Sequence, residues 1–245
     1  MSKAEKNLRL AGTAGCLVFA VVTFILLLSG RKYDRLLLAG ATAFLAVAPE
    51  LAQRLLHCKI RTPFYLFCLF YAIGPMLGHC YNLYYRIPWW DKMLHIFAGL
   101  VFAVFGAYLA ERCVGAGKRK RLFAAAFALC FSVAVSVVWE FAEFGADQLF
   151  LVDMQSDTVI RSIHSYRLGE GYGNAGIIEP IFSVAINGEK LPLAGYLDIG
   201  LIDTMWDMML ETLGAVAVVV FYLVDRGRHS VLIPRRNRVG ENGSS

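Results

Sequence analysis

Charged residues are distributed along this 245-residue chain so that long stretches carry no Asp, Glu, Lys or Arg. Twenty-one uncharged residues run from Leu10 to Gly30 and fourteen from Leu36 to Pro49, and further runs span Thr62–Tyr85, Met93–Ala110 and Leu122–Trp139. A last apolar stretch, Thr212–Val224, extends backwards through the segment that begins at Asp203. A helix of about 20 apolar residues crosses a bilayer core. The pattern therefore predicts an all-α integral membrane protein with six transmembrane helices, at about 10–30, 34–52, 62–85, 91–111, 121–147 and 201–225, in a single membrane domain over 1–245. The Gly74-Pro75 pair inside the third run is tolerated where neighbouring helices satisfy the freed backbone groups.

Composition agrees, with 58% hydrophobic residues and a mean hydropathy of +0.55. The net charge of +5 changes the picture through its distribution. With a cytoplasmic N-terminus, the inner segments hold Lys3, Lys6, Arg9, Arg54, Lys59, Arg61, Arg112, Lys118–Arg121, Arg226, Arg228, Arg235, Arg236 and Arg238, which is 16 of the 24 basic residues, against 8 outside. Cytoplasmic loops carry the excess of Lys and Arg, so six helices with both termini cytoplasmic, in an inner membrane, fit the count. Basic clusters beside membrane helices set topology and touch anionic lipid, which leaves no nucleic-acid partner to infer. The first apolar run exceeds the length of a signal-peptide core and reads as a retained anchor. Six cysteines without C-x-x-C pairing read as small core residues.

The segment 148–200 is too long for a simple connection. Ile181–Ile186 and Glu189–Leu193 flank Asn187-Gly188, a strong hairpin signal, and the expectation is an outer β-hairpin-containing cap loop. Arg161, His164 and Arg167 would be placed there to neutralise acids or to receive an anionic group.

Ionisable residues interrupt the membrane helices at helical spacing: Asp91 with His95, Glu140 with Glu143 and Asp147, and Asp203 with Asp207 and Glu211. Residues four or seven apart share a helix face. In the six-helix topology all three sets lie towards the outer leaflet, Glu140 about 28 Å from Arg121, His95 about 24 Å from Glu111 and Asp207 about 27 Å from Asp225. Trp89, Trp90, Trp139 and Trp206 read as the aromatic belt of that leaflet. Acids avoid lipid, so the stripes are expected to face one another inside the bundle. Seven carboxylates and one imidazole cannot all stay ionised together without shared protons, bases or cations. A divalent metal, Mg²⁺, Mn²⁺ or Zn²⁺, held by Asp91, His95, Glu140, Glu143, Asp147, Asp203 and Asp207, is the economical solution, with His95 or Glu140 as acid-base group. The bland alternative for each set is an ordinary interfacial acid at a helix end.

The strings Trp90-Asp-Lys-Met-Leu-His95, Trp139-Glu-Phe-Ala-Glu-Phe-Gly-Ala-Asp147, Asp153-Met-Gln-Ser-Asp157-Thr and Gly195-Tyr-Leu-Asp-Ile-Gly-Leu-Ile-Asp-Thr-Met-Trp-Asp207 resemble the YjdF-like family of bacterial inner-membrane proteins, over residues 33 to 225 or so. More distantly, Asp91-Lys-x-x-His95, a Glu near the end of the next helix and Asp207-x-x-x-x-x-x-Gly214 resemble the VanZ-like membrane proteins, which tend to carry Asn where this chain has Glu211. The resemblances imply a membrane fold and a site, and no reaction. Two classes of function remain: metal-dependent hydrolysis or transfer on a lipid-linked or envelope substrate, and an ion or proton site of a small transporter. A non-catalytic accessory role is the third. Against transport, no inverted repeat is evident, and the acids crowd one leaflet. No G-x-S-x-G, P-loop or dinucleotide fingerprint is present.

Overall fold

The computed structural model describes residues 1–114, 118–225 and 235–236. Arg226, Arg228 and Arg238, which the charge count placed on the inner side, lie outside the described residues. Among the described residues seven α-helices follow one another: α1 (Lys3–Ser29), α2 (Leu36–Leu55), α3 (Thr62–Cys80), the short α4 (Leu83–Arg86), α5 (Trp90–Val114), α6 (Lys118–Phe150) and α7 (Leu201–Val224). Five of them, α1, α3, α5, α6 and α7, contain stretches long and apolar enough to cross a membrane among the described residues.

The expected helix over 62–85 is split. Asn82, with φ 60°, takes the left-handed conformation that Asn tolerates better than most residues, so α3 stops at Cys80 and α4 starts afresh. At the other end of the chain, Leu151 (φ 52°) terminates α6, three residues beyond the expected 147. Pro49 lies inside α2 and Pro75 inside α3.

The chain divides into two compact units, Met1–Ser136 with Leu210–Ser245, and Val137–Met209. In the first, α1, α2 and α3 pack against one another around Ala20, Leu27, Ala39 and Met76. Small residues set the closest crossings. A Cβ on Gly74 would overlap the Leu94 side chain, one on Gly106 would sit 3.0 Å from the Ala128 Cα, and one on Gly99 would overlap the Glu211 carbonyl oxygen. Gly214 is pressed in the same way against the Ile96 carbonyl. Helices in membranes associate through such close backbone approach, and here it joins α5 to α7 at one place. Beneath that crossing, Ala103, Val104, Ala215 and Val218 form an apolar core with Phe64, Leu100 and Leu129 packed on it. Also in this unit, β1 (Cys58–Lys59) pairs antiparallel with β8 (Arg235–Arg236).

The second unit is the end of α6, the start of α7 and the segment between them. Three small antiparallel pairs organise that segment: β2 (Val159–Ile160) with β7 (Tyr196–Leu197), β3 (Ile163–Ser165) with β4 (Gly176–Ile178), and β5 (Ala185–Ile186) with β6 (Glu189–Lys190). Asn187 (φ 54°) and Gly188 (φ 90°) form the turn between β5 and β6, both with the positive φ of a type I′ hairpin. Pairing there covers two residues on each side, less than the runs Ile181–Ile186 and Glu189–Leu193 suggested.

Candidate metal centre

Asp91 stands in the first turn of α5, and His95 one turn further on the same face. His95 is buried, with Nε2 3.7 Å from Asp91 Oδ1. The second oxygen of Asp91 lies 3.3 Å from Lys92 Nζ. The other imidazole nitrogen, Nδ1, faces Glu211 Oε2 at 3.9 Å. The Gly99 contact explains this meeting: it brings the Glu211 backbone against α5 one turn below His95. Glu211 is 2% exposed, and its Oε1 has no hydrogen-bond partner among the described residues. Trp90 is not part of a lipid-facing belt. It is buried and donates its indole N–H to the Gly74 carbonyl at 3.1 Å, whereas Trp89 is exposed.

On α6, Ser132, Ser136, Glu140 and Glu143 are all buried at spacings of four, four and three, one polar face over about 17 Å of helix. The face turns apolar at Ala128, Ala125 and Ala124. Ser132 donates to the Gly99 carbonyl at 3.3 Å. Ser136 Oγ, with the residue 1% exposed, has no partner among the described residues.

Three acids of the second unit, Asp147, Asp198 and Asp203, accept backbone N–H groups. Asp147 accepts the Met154 N–H at Oδ1 (2.6 Å) and the Gln155 N–H at Oδ2 (2.9 Å), so it folds the chain back just after α6. Asp203 Oδ2 accepts the Ser156 N–H at 3.0 Å. Asp198, which the sequence reading passed over, accepts the N–H groups of Thr158 and Ile202 at 2.7 Å each and thereby caps the start of α7. Glu143 Oε1 accepts the Trp139 indole N–H at 2.8 Å. Glu140 Oε2 lies 3.5 Å from Gln155 Nε2, which itself donates to Thr204 Oγ1 at 2.6 Å. In the loop, burial pushes the Asp153 carboxyl above its ordinary value, and the negative charges of Asp157, Asp147 and Asp203 add to the shift.

Asp207 is 1% exposed and one turn before Glu211 on α7. Asp91, His95 and Asp207 each offer one ligand atom, and these three atoms lie within 4.8 Å of one another, a spacing that could hold a metal ion. The group contains three of the seven ligands expected. Glu140, Glu143, Asp147 and Asp203 are not members of it, and have the partners just described. Gln155 and Ser136 had no place in the sequence reading. Ser136 was within its reach, four residues before Glu140 on the same face, but a serine in an apolar helix gives little signal.

Apolar helices of membrane-crossing length, with buried ionisable residues at one end, define a helical membrane-embedded protein. The chain belongs to the family described as Predicted membrane protein (DUF2238), whose model matches residues 13–228. YjdF is a member of that family, so this part of the resemblance is shown, and the VanZ-like part is not. No curated protein and no solved structure matches the chain.

Proposed function

We propose that this chain is a divalent-metal-dependent hydrolase or transferase of the inner membrane, acting at the outer leaflet on a phosphate, ester or amide of a lipid or cell-envelope intermediate. The observation that carries the reading is the Asp91, His95 and Asp207 group, two carboxylates and an imidazole within 4.8 Å. Such a donor set suits Mn²⁺ or Zn²⁺ and admits Mg²⁺. A bound ion would lower the pKa of its water and polarise a substrate oxygen. In this reading Glu140, buried and positioned by Gln155, takes the proton, and Asp147 and Asp203 hold the loop backbone in place. The apolar core of Ala103, Val104, Ala215 and Val218 favours a one-sided cleft over a polar path through the membrane, which weighs against transport. The accompanying topology has α2 as a sixth span, both termini cytoplasmic and the 148–200 loop outside.

Detergent-purified protein is expected to contain at least one divalent ion, and Asp207→Asn to lose it. The loaded protein should release phosphate from phosphatidic acid or a polyprenyl diphosphate, with His95→Ala inactive. Protein that binds no divalent ion in either state would sink the reading. Reporter fusions at Gly169 and at the C-terminus should give opposite signals. Like signals would overturn the six-span topology.

A further inference from the structure

We propose that the site continues inward to a second cation position, marked by Glu211 Oε1 and Ser136 Oγ, which takes an oxygen-preferring divalent ion such as Mg²⁺ or Mn²⁺. The inference rests on the metal-dependent reading above and deepens it from one ion to two. Its starting point is a pair of buried oxygens with no hydrogen-bond partner among the described residues, on side chains that are almost wholly enclosed. Buried polar atoms in folded proteins are satisfied, and an apparent orphan calls for a bound water or ion.

The helix contacts place the two atoms at one level. Gly106 packs on Ala128 and Gly99 receives the Ser132 hydroxyl, so α5 and α6 run antiparallel through this region. Gly99 also carries the Glu211 backbone, which makes it the level at which α5, α6 and α7 meet. One turn above Gly99 on α5 is His95. One turn above Ser132 on α6, in the same direction, is Ser136. The Glu211 carboxylate rises from its own helix to the His95 Nδ1. Its Oε1 and the Ser136 hydroxyl therefore belong to the same layer, directly over the apolar core of Ala103, Val104, Ala215 and Val218.

Charge favours a cation over water alone. His95 has a carboxylate at each nitrogen, Asp91 at 3.7 Å and Glu211 at 3.9 Å. Asp91 is partly exposed and has the Lys92 ammonium at 3.3 Å on its other oxygen, but the almost fully buried Glu211 shares the single possible charge of the imidazole with Asp91, and a buried carboxylate without full compensation is strongly disfavoured. The donors are a carboxylate and a hydroxyl, with water for the remaining places. That is the hard, oxygen-only set of Mg²⁺ or Mn²⁺, which bind through one or two carboxylates and keep several waters. The first position includes an imidazole and accepts softer ions.

The test uses full-length protein in detergent, stripped by chelation and titrated with Mn²⁺ alone. Electron paramagnetic resonance reads both stoichiometry and coupling. We expect two Mn²⁺ per chain with an exchange-coupled signal. Glu211→Gln and Ser136→Ala should each retain one uncoupled Mn²⁺, and Glu211→Asp should restore the second in part. Monodisperse elution of each variant separates loss of an ion from loss of fold. One uncoupled Mn²⁺ in the unaltered protein, or two that survive both Glu211→Gln and Ser136→Ala, overturns the second position and leaves the one-ion reading standing. No bound Mn²⁺ at all removes both.

Discussion

Glu211 and Asp147 are both acids on long apolar helices, each in register with another acid one or two turns away, yet their surroundings differ in kind. Glu211 lies in the unit of Met1–Ser136 and Leu210–Ser245, where helices touch through Gly99, Gly106 and Gly214. Its Oε2 faces the His95 imidazole, and its Oε1 accepts no hydrogen bond among the described residues, in keeping with helical amides that are already bonded within their helices. Asp147 lies in the unit of Val137–Met209, where the chain leaves the helix and exposes unpaired amides. It takes two of them, as Asp198 does, and Asp203 takes one. Acids beside irregular backbone become fasteners. Acids enclosed by complete helices keep their oxygens for something that is not backbone.

The sharpest way to break this comparison is to remove metal. If the enclosed acids serve an ion, saturating Mn²⁺ at about a thousand times its dissociation constant stabilises the fold by about 4 kcal/mol, read as a rise in melting temperature that EDTA reverses. Asp207→Asn should abolish that response, and Asp147→Asn should retain it. Equal loss in both variants would erase the distinction.

Next comes the fastener itself. Asp147→Ala forfeits two charge-assisted hydrogen bonds to Met154 and Gln155, at a cost of about 2–4 kcal/mol to the second unit. Hydrogen exchange of the amides in 154–158 should accelerate accordingly. Unchanged exchange would show that Asp147 does not hold the loop.

A third variant addresses the crossing that creates the enclosed environment. Gly99→Ala sets a methyl group against the Glu211 carbonyl, and overpacking of this kind costs about 1–3 kcal/mol. Its expected signature is a lower melting temperature together with weaker Mn²⁺ binding, since His95 and Glu211 would move apart. Full metal affinity would uncouple the crossing from the site.

The smallest effect belongs to Asp153. Its carboxyl is held above the ordinary range by burial and by the charges of Asp157, Asp147 and Asp203, so the folded loop binds its proton more tightly than the unfolded chain does. Stability from this group is greatest at low pH and is lost as pH rises from the ordinary Asp value through the raised one. Asp153→Asn should accordingly stabilise the loop slightly at neutral pH and make no difference under acid conditions, measured by the same amide exchange. A destabilised loop at neutral pH would reverse the assignment.

Much of this molecule is legible in residue order alone. Uninterrupted apolar runs specify long helices because a lipid solvent leaves the backbone no other way to satisfy its amides, and α1, α3, α5, α6 and α7, which overlap five of those runs, are long and apolar enough to cross a membrane. Asn187-Gly188 specifies its turn through positive φ. Spacing along one helix puts Asp91 with His95, and Asp207 with Glu211, because the helix repeat is a local property. Residue order does not say what a carboxylate meets. Asp147, Asp203 and Asp207 look alike in the sequence, but only the fold decides that the first two face free amides of a returning chain while Asp207 joins Asp91 and His95. That choice depends on which glycine lets which helices touch and on where the backbone leaves its helix. Both are long-range facts, set by the packing of segments more than a hundred residues apart, such as Gly99 against Glu211.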